Sequence, residues 1–293
     1  MMGAPAWPRW LRALLGMAGW GPGPAAVRAV VDGQLVVITG ASRGIGAQIA
    51  RRLAHCGAHV VLLARTEADL AAVSGQIRAR GGMVSTYPVD LREADAAGEV
   101  GELILAEHGT PDVVISNAGH SIHRPLLAYT DRYHDVARLA GVNMLGPIAL
   151  LLPVLEAMSV AGRGHLISVA STSVDIPAPG WSAYGATKTG FEAWLAAIAP
   201  ELAAAGVATT SVHLPLVHTA MSAPNPRYAR APGLRPAEAA SLLCHAVVRR
   251  PRLICPWWSR LGGVFSTLFP GLIDRLIQPL ARAEVARAAR ERQ

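Results

Sequence analysis

A tyrosine, a lysine and a serine stand at a spacing that can move a proton. Tyr184 and Lys188 lie four residues apart in a segment of helical period, so both project from one helix face. A free phenol titrates near pH ~10. A neighbouring ammonium stabilises the phenolate and brings the group toward the range of a general acid or base. Lys188 is the one lysine among 27 basic residues; the rest are Arg. A chain that uses Arg for generic positive charge and keeps a single Lys points to a job for a compact ammonium, such as tuning a pKa and holding ribose hydroxyls. Ser171, just past a β-branched run, can position a substrate oxygen. The plainer alternative is an exposed helix pair and a loop serine. A second group, Thr39-Gly40-Ala41-Ser42-Arg43-Gly44-Ile45-Gly46, sits between a strand-like and a helix-like segment. Glycines there bring backbone close to a pyrophosphate at a helix N-terminus. Alone, the same turn can also be read as a structural one, the lesser of the two readings.

Elements must hold these residues in place. Strands are expected at 35–39, 60–63, 84–89, 113–116, 165–170, 207–214 and 253–255. Helices are expected at 45–56, 67–79, 94–108, within 129–158, at 182–204 and at 236–249. Near-continuous apolar strands alternating with helices predict an α/β, doubly wound Rossmann fold with a central parallel sheet of about seven strands. Beyond Pro256, apolar residues from Trp257 to Ile277 recur at three and four, predicting a C-terminal amphipathic helical appendage broken at Pro270. Three regions follow: 1–32, an N-terminal amphipathic extension and linker; 33–256, the catalytic domain; 257–293, the helical extension. The 293 residues are 52% apolar and 16% charged, so burial can offset the ordering entropy and disorder throughout is excluded. Cys56, Cys244 and Cys255 are too scattered for a zinc or disulfide framework and fit a reducing compartment, the cytosol. No metal site is expected. The uncharged run 142–155 carries two prolines and falls short of the about 20 residues a span requires, so it reads as a buried core helix.

On these motifs the chain resembles the short-chain dehydrogenase/reductase family over about residues 33–255. The glycine turn, Asn117-Ala118-Gly119, Ser171 with Tyr184 and Lys188, and Pro215 with Thr219 match in order. The resemblance implies a catalytic tetrad of Asn143, Ser171, Tyr184 and Lys188, with Asn143 opening the long helix around a water that links Lys188 to solvent. It implies a nicotinamide cofactor held by Gly40, Ser42, Arg43, Gly44, Ile45, Gly46, Arg65, Asp90, Leu91, Asn117, Ala118, Gly119, Tyr184, Lys188, Pro215, Val217 and Thr219, with Asp90 at the adenine. The family commonly has Gly after the proline; here Leu216 follows Pro215. NAD specificity calls for a carboxylate after the second strand, where this chain reads Leu63-Ala64-Arg65. Arg43 and Arg65 can fork onto a 2′-phosphate, so NADPH is expected; the alternative is that either Arg merely faces solvent.

Three segments resemble a narrower group, the bacterial fatty acyl-CoA reductases of short-chain type: Asn117 to Arg124, Asp131 to Asp135, and Leu214 to Met221, where Pro215-Leu216-Val217 accounts for the missing glycine. That likeness extends through 236–252 and the appendage, and implies reduction of a long-chain acyl-CoA thioester to an aldehyde. Charge agrees: from Pro224 onward there are 12 Arg against 4 acids, while the rest of the chain is nearly balanced. A phosphorylated head and an apolar chain suit such a quarter. Arg227 and Arg230 are expected in a substrate lid, and His120 and His123 at the pocket mouth. The tail would wall a lipid-binding site or lie on a membrane surface, or simply pack on the domain. No zinc-finger spacing or basic-aromatic motif points to nucleic acid. The resemblance implies a homodimer or homotetramer. Other readings are a ketone or aldehyde reductase or an alcohol dehydrogenase on a lipid, steroid or polyketide, and, outside enzymes, a nucleotide-sensing or membrane-docking protein.

Overall fold

The protein is described from a computed structural model, which covers residues 21–223, 228 and 231–290. Seven strands, β1 Leu35–Thr39, β2 His59–Ala64, β3 Met83–Pro88, β4 Val113–Ser116, β5 Gly164–Ser171, β6 Val207–Leu214 and β7 Leu253–Ile254, form one parallel sheet in the order β3-β2-β1-β4-β5-β6-β7. The expected parallel sheet and doubly wound fold are thus observed.

Period-2 alternation explains why the strands sort into a sheet with two buried faces. Val36, Ile38, Val60, Leu62, Ile115 and Ile167 point to one core. There they meet α1 Pro24–Val31, α2 Gly44–His55, α3 Glu67–Arg78 and α8 Pro236–Arg249. Val37, Val61, Leu63, Val114 and Leu166 point to the other. That face is covered by α4 Ala94–His108, α6 Gly146–Ala161 and α7 Ser182–Ala204. Helix α1 falls in the stretch read as extension and linker, yet its Val27 and Val31 are buried in the first core. The N-terminal helix expected before it lies outside the described residues.

The long helix begins at Tyr133, after a 3-10 turn at Leu126–Tyr129, and is not uniform. Helix α5 Tyr133–Ala140 passes through a π-turn, Gly141–Leu145, into α6. Pro147 has no N–H to give the carbonyl of Asn143 four residues earlier, so the α-pattern bond cannot form there. The Gly146 N–H instead reaches the Gly141 carbonyl. By length and composition this 29-residue helix could cross a membrane. Its Leu150, Leu151, Val154 and Met158 are packed in the second core, however, as a core helix requires. The appendage is helical as expected: α9 Trp257–Leu268 and α10 Pro270–Arg290, meeting at Phe269.

Candidate active site

The strand order reverses between β1 and β4, and in such sheets the crevice beyond the carboxyl ends receives ligand. Gly40 leaves β1 there, Arg65 leaves β2, Asp90 follows β3, Asn117 follows β4, Ser171 ends β5 and Pro215 follows β6. The sheet therefore delivers most of the residues singled out above to one rim.

The glycine turn is locked to the loop after β4. Asn117 donates through Nδ2 to the carbonyls of Thr39 (2.9 Å) and Gly40 (3.3 Å), and the backbone amides of Asn117 and Ala118 donate to Thr39 Oγ1. A Cβ at Gly46 would stand 2.3 Å from the Gly40 carbonyl oxygen, so no other residue fits there without moving backbone. The first turn of α2 carries no side-chain cap, which leaves amide donors for an incoming anion. Arg43 and Arg65, both exposed, lie close enough to His120 to disfavour its imidazolium along with Arg138; burial is the larger cause of the lowered value. Arg65 also acts on Asp90. These residues fit a dinucleotide phosphate. The Asp90 carboxylate is gripped by the Arg92 guanidinium and backbone amide. Leu91 is buried, its carbonyl against α6 at Gly146. Beyond β6, Val217 bridges Leu234, and Thr219 lies against Gly44, where a Cβ would meet its methyl at 3.5 Å. The segment after Pro215 thus folds back over the glycine turn.

Around the phenol the parts converge. Tyr184, on the first turn of α7, is half-buried; burial raises its pKa and a hydrogen-bonded Ser171 side chain pulls it down. Ser171 Oγ also accepts from the Ser173 amide at 3.2 Å. The expected depression of the phenol by Lys188 is not among the influences on it here. Lys188 is buried, and its Nζ donates to the Val169 carbonyl at 3.1 Å. Burial lowers the Lys188 pKa from 10.5 to about 8, opposed by Glu192 one turn along. A Cβ at Gly119 would come within 3.2 Å of both Lys188 Nζ and Asn143 Oδ1, so the glycine permits their approach. The buried Asn143 side chain accepts from the His120 amide (2.8 Å) and donates to the His120 carbonyl and to Thr187 Oγ1 (both 3.0 Å). All four tetrad residues are in this one region, with Asn143 tying the β4 loop to α7.

Behind Lys188 lies a charge cluster that sequence reading missed. His213 on β6 sits between Asp175, 3.0 Å from Nδ1, and Glu192, 3.5 Å from Nε2. Burial would lower the imidazole; bonds and charges of the two carboxylates overcome that and lift it from 6.5 to about 9. Ser168 Oγ donates to Glu192 at 2.5 Å, and Ser259 Oγ of α9 donates to Asp175 at 2.5 Å. The only hint in sequence is Glu192, one turn after Lys188.

At the mouth, the His123 ring lies 4.9 Å from that of Trp181, which is edge-on to Tyr184 at 6.1 Å and stacked on Tyr228 at 5.8 Å. Trp181 and Tyr228 were also missed; an indole three residues before the phenol was the available signal. His123 Nε2 lies 3.3 Å from Glu284 of α10, so the tail closes onto this wall. His120 lies beside the arginines. Arg227 and Arg230 lie outside the described residues. Among the described residues no group of three or more His, Cys, Asp or Glu could hold a metal ion.

A family model described as short chain dehydrogenase matches residues 34–228. A fatty acyl-CoA reductase of Acinetobacter baylyi is 37% identical over 253 residues, 86% of each chain. A fatty acyl-CoA reductase of Mycobacterium tuberculosis is 34% identical over 280 residues, 92% of this chain and 95% of that one. Among solved structures, a metagenomic short-chain oxidoreductase in complex with NADP is 33% identical, with a TM-score of 0.65 over 75% of this chain and 92% of its own.

Proposed function

This chain belongs to the short-chain dehydrogenase family of NAD(P)-dependent oxidoreductases, and from that premise we propose that it reduces a long-chain acyl-CoA thioester to the aldehyde with NADPH. The observation that carries the substrate is the likeness to two reductases named for fatty acyl-CoA, sustained over 86% and 92% of this chain. The aromatic wall beside Tyr184, closed by an apolar tail, supports it. NADPH over NADH rests on Arg43 and Arg65 at the crevice and on the sequence Ala64-Arg65 after β2, where a carboxylate would select ribose hydroxyls.

When bound, the nicotinamide supplies a hydride to the carbonyl carbon. Ser171 holds the substrate oxygen through its hydroxyl. Tyr184 gives that oxygen its proton, and the bond from Ser171 favours the phenolate left behind. Lys188 holds its ammonium beside Gly119 and the Val169 carbonyl, while Asn143 keeps the loop and α7 in register. The resulting hemithioacetal breaks its C–S bond to release aldehyde and the free thiol of coenzyme A. The protein acts in the cytosol as a homodimer or homotetramer, with contact to a membrane surface through its termini. Pairing has a candidate face in the exposed Leu103, Leu145, Leu152 and Val160 of α4 and the long helix.

Incubation with NADPH and palmitoyl-CoA is expected to oxidise NADPH and release thiol in equal amounts. Absence of thiol together with brisk reduction of simple ketones or aldehydes would replace the thioester by the ketone reading. Absence of NADPH oxidation with all three carbonyl classes would remove the reductase itself.

A further inference from the structure

The tail helix α9 is inside out. Toward the domain it turns Ser259, Gly262 and Gly263: Ser259 bonds Asp175, and a Cβ on either glycine would meet Ile176 or Asp175. Toward solvent it turns Leu261, Val264, Phe265 and Leu268, each at least half exposed and spaced at three and four. A helix that covers a soluble core does the reverse. The stripe continues through Phe269 into Leu272, Leu276 and Leu280 of α10, whose Ile273 and Ile277 are less exposed. Scattered apolar residues on a surface need no partner, but a contiguous stripe of this length does.

Charge identifies the partner. No acid occurs between Glu238 and Asp274, and α9 carries Arg260 as its one charged residue. On α10 the exposed Arg275 and Arg282 face solvent with Asp274, while Glu284 is buried against His123. A second copy seated on this face about a two-fold axis would set two surfaces of the same positive charge against each other. An anionic bilayer instead takes the apolar stripe among its acyl chains and the guanidinium groups at its head groups. Helix α9, 12 residues long, is too short to cross a bilayer, and α10 is interrupted by Asp274, Arg275 and Arg282, so both lie in the interface plane.

We propose that α9 and α10 dock the protein flat on an anionic membrane with the mouth of the site turned to the lipid. This rests on the reading of a lipid substrate and deepens it. The orientation comes from α10, which packs on the 3-10 turn carrying the exposed Leu126 and Leu127, and whose Glu284 meets His123 beside Trp181. The apolar stripe and the substrate wall therefore adjoin, and an acyl chain can pass from bilayer to phenol without crossing water.

The test is co-sedimentation of the full chain with vesicles of phosphatidylcholine alone or mixed with phosphatidylglycerol, at low and high salt, beside size-exclusion chromatography and a vesicle-free NADPH assay on a soluble acyl-CoA. The wild type is expected to sediment with the anionic vesicles and far less with the neutral ones. Leu261→Ser with Phe265→Ser and Leu268→Ser should abolish sedimentation without changing the elution volume. Arg260→Glu with Arg275→Glu, both at exposed positions, should lower partition by roughly tenfold or more. Failure to sediment, equal binding to neutral vesicles that ignores the arginines, or conversion of an oligomer to a monomer by the serine variant would each overturn the proposal. The vesicle-free assay reports separately on the reductase reading, which stands or falls on NADPH oxidation there.

Discussion

Lys188 is buried against the backbone of β5 with a carboxylate one turn away, and its value of about 8 means that the ammonium is kept at a cost. Its Nζ is enclosed by the Val169 carbonyl and Gly119, so a larger guanidinium should not fit. Lys188→Arg is expected to lower kcat at least as severely as it lowers cofactor affinity. Tyr184→Phe should remove proton donation, about 10²–10⁴-fold in kcat, while NADPH binding measured by fluorescence stays near that of the wild type. His213 gives a pH signature. Its value rises from 6.5 to about 9 on folding, so its stabilisation is complete below pH 6.5 and is lost as the pH climbs toward 9. Above about 8 the deprotonation of Lys188, whose folded value is depressed, acts in the opposite direction. Thermal melts should therefore show stability falling between pH 6.5 and 8, by on the order of 1–2 kcal/mol. That slope should vanish in His213→Gln, and a flat wild-type profile would show that the imidazole is not charged by its carboxylates. Asn143 came from the family resemblance; Tyr184 and Lys188 were readable in the residues themselves, four apart on one helix face. The His213 cluster was not, because Asp175, Glu192 and His213 come from three elements.

At the scale of the element, the strands were legible because each alternates between two apolar faces, and the helix bounds of α7 and α8 were read correctly for the same reason of period. Helix α1 escaped because its eight residues follow Gly and Pro and present only Val27 and Val31 inward. The resemblance implied a long helix opened at Asn143, where the π-turn lies; the residues alone hid it, because a proline after Asn143 reads as a helix break unless the packing of α6 on Leu91 is known. Turns into the strands carry a further regularity. Before β1 to β6 they use Gly33, Gly57, Gly81, Gly109, Gly162 and Gly206 in the positive-φ region; before β7 the position is Arg250, at φ 48°. A side chain there is strained, so Arg250→Gly should raise the melting temperature, by roughly 0.5–1 kcal/mol in stability. Asn143→Ala should act the other way. It strips the His120 amide and carbonyl and the Thr187 hydroxyl of one partner, at about 1–3 kcal/mol.

For the molecule as a whole, the sequence showed the imbalance of charge and the periodic tail, but not which way the tail faces. Orientation depends on Ser259 finding Asp175 and on Glu284 finding His123, pairings between residues far apart in the chain. Cofactor preference also belongs to this scale, since Arg43 and Arg65 come from separate units and converge only in the fold. Replacing both by Ala should raise the KM for NADPH by roughly ten- to a hundredfold and leave that for NADH nearly untouched. Equal effects on the two would mean that the arginines face solvent. The strands all point the same way, so the candidate site groups leave from one rim and the positive-φ residues that precede the strands occupy the far one. A bead or fluorophore coupled at the exposed Arg80, in the turn before β3, would hold the molecule by its back and leave the working end open to the medium.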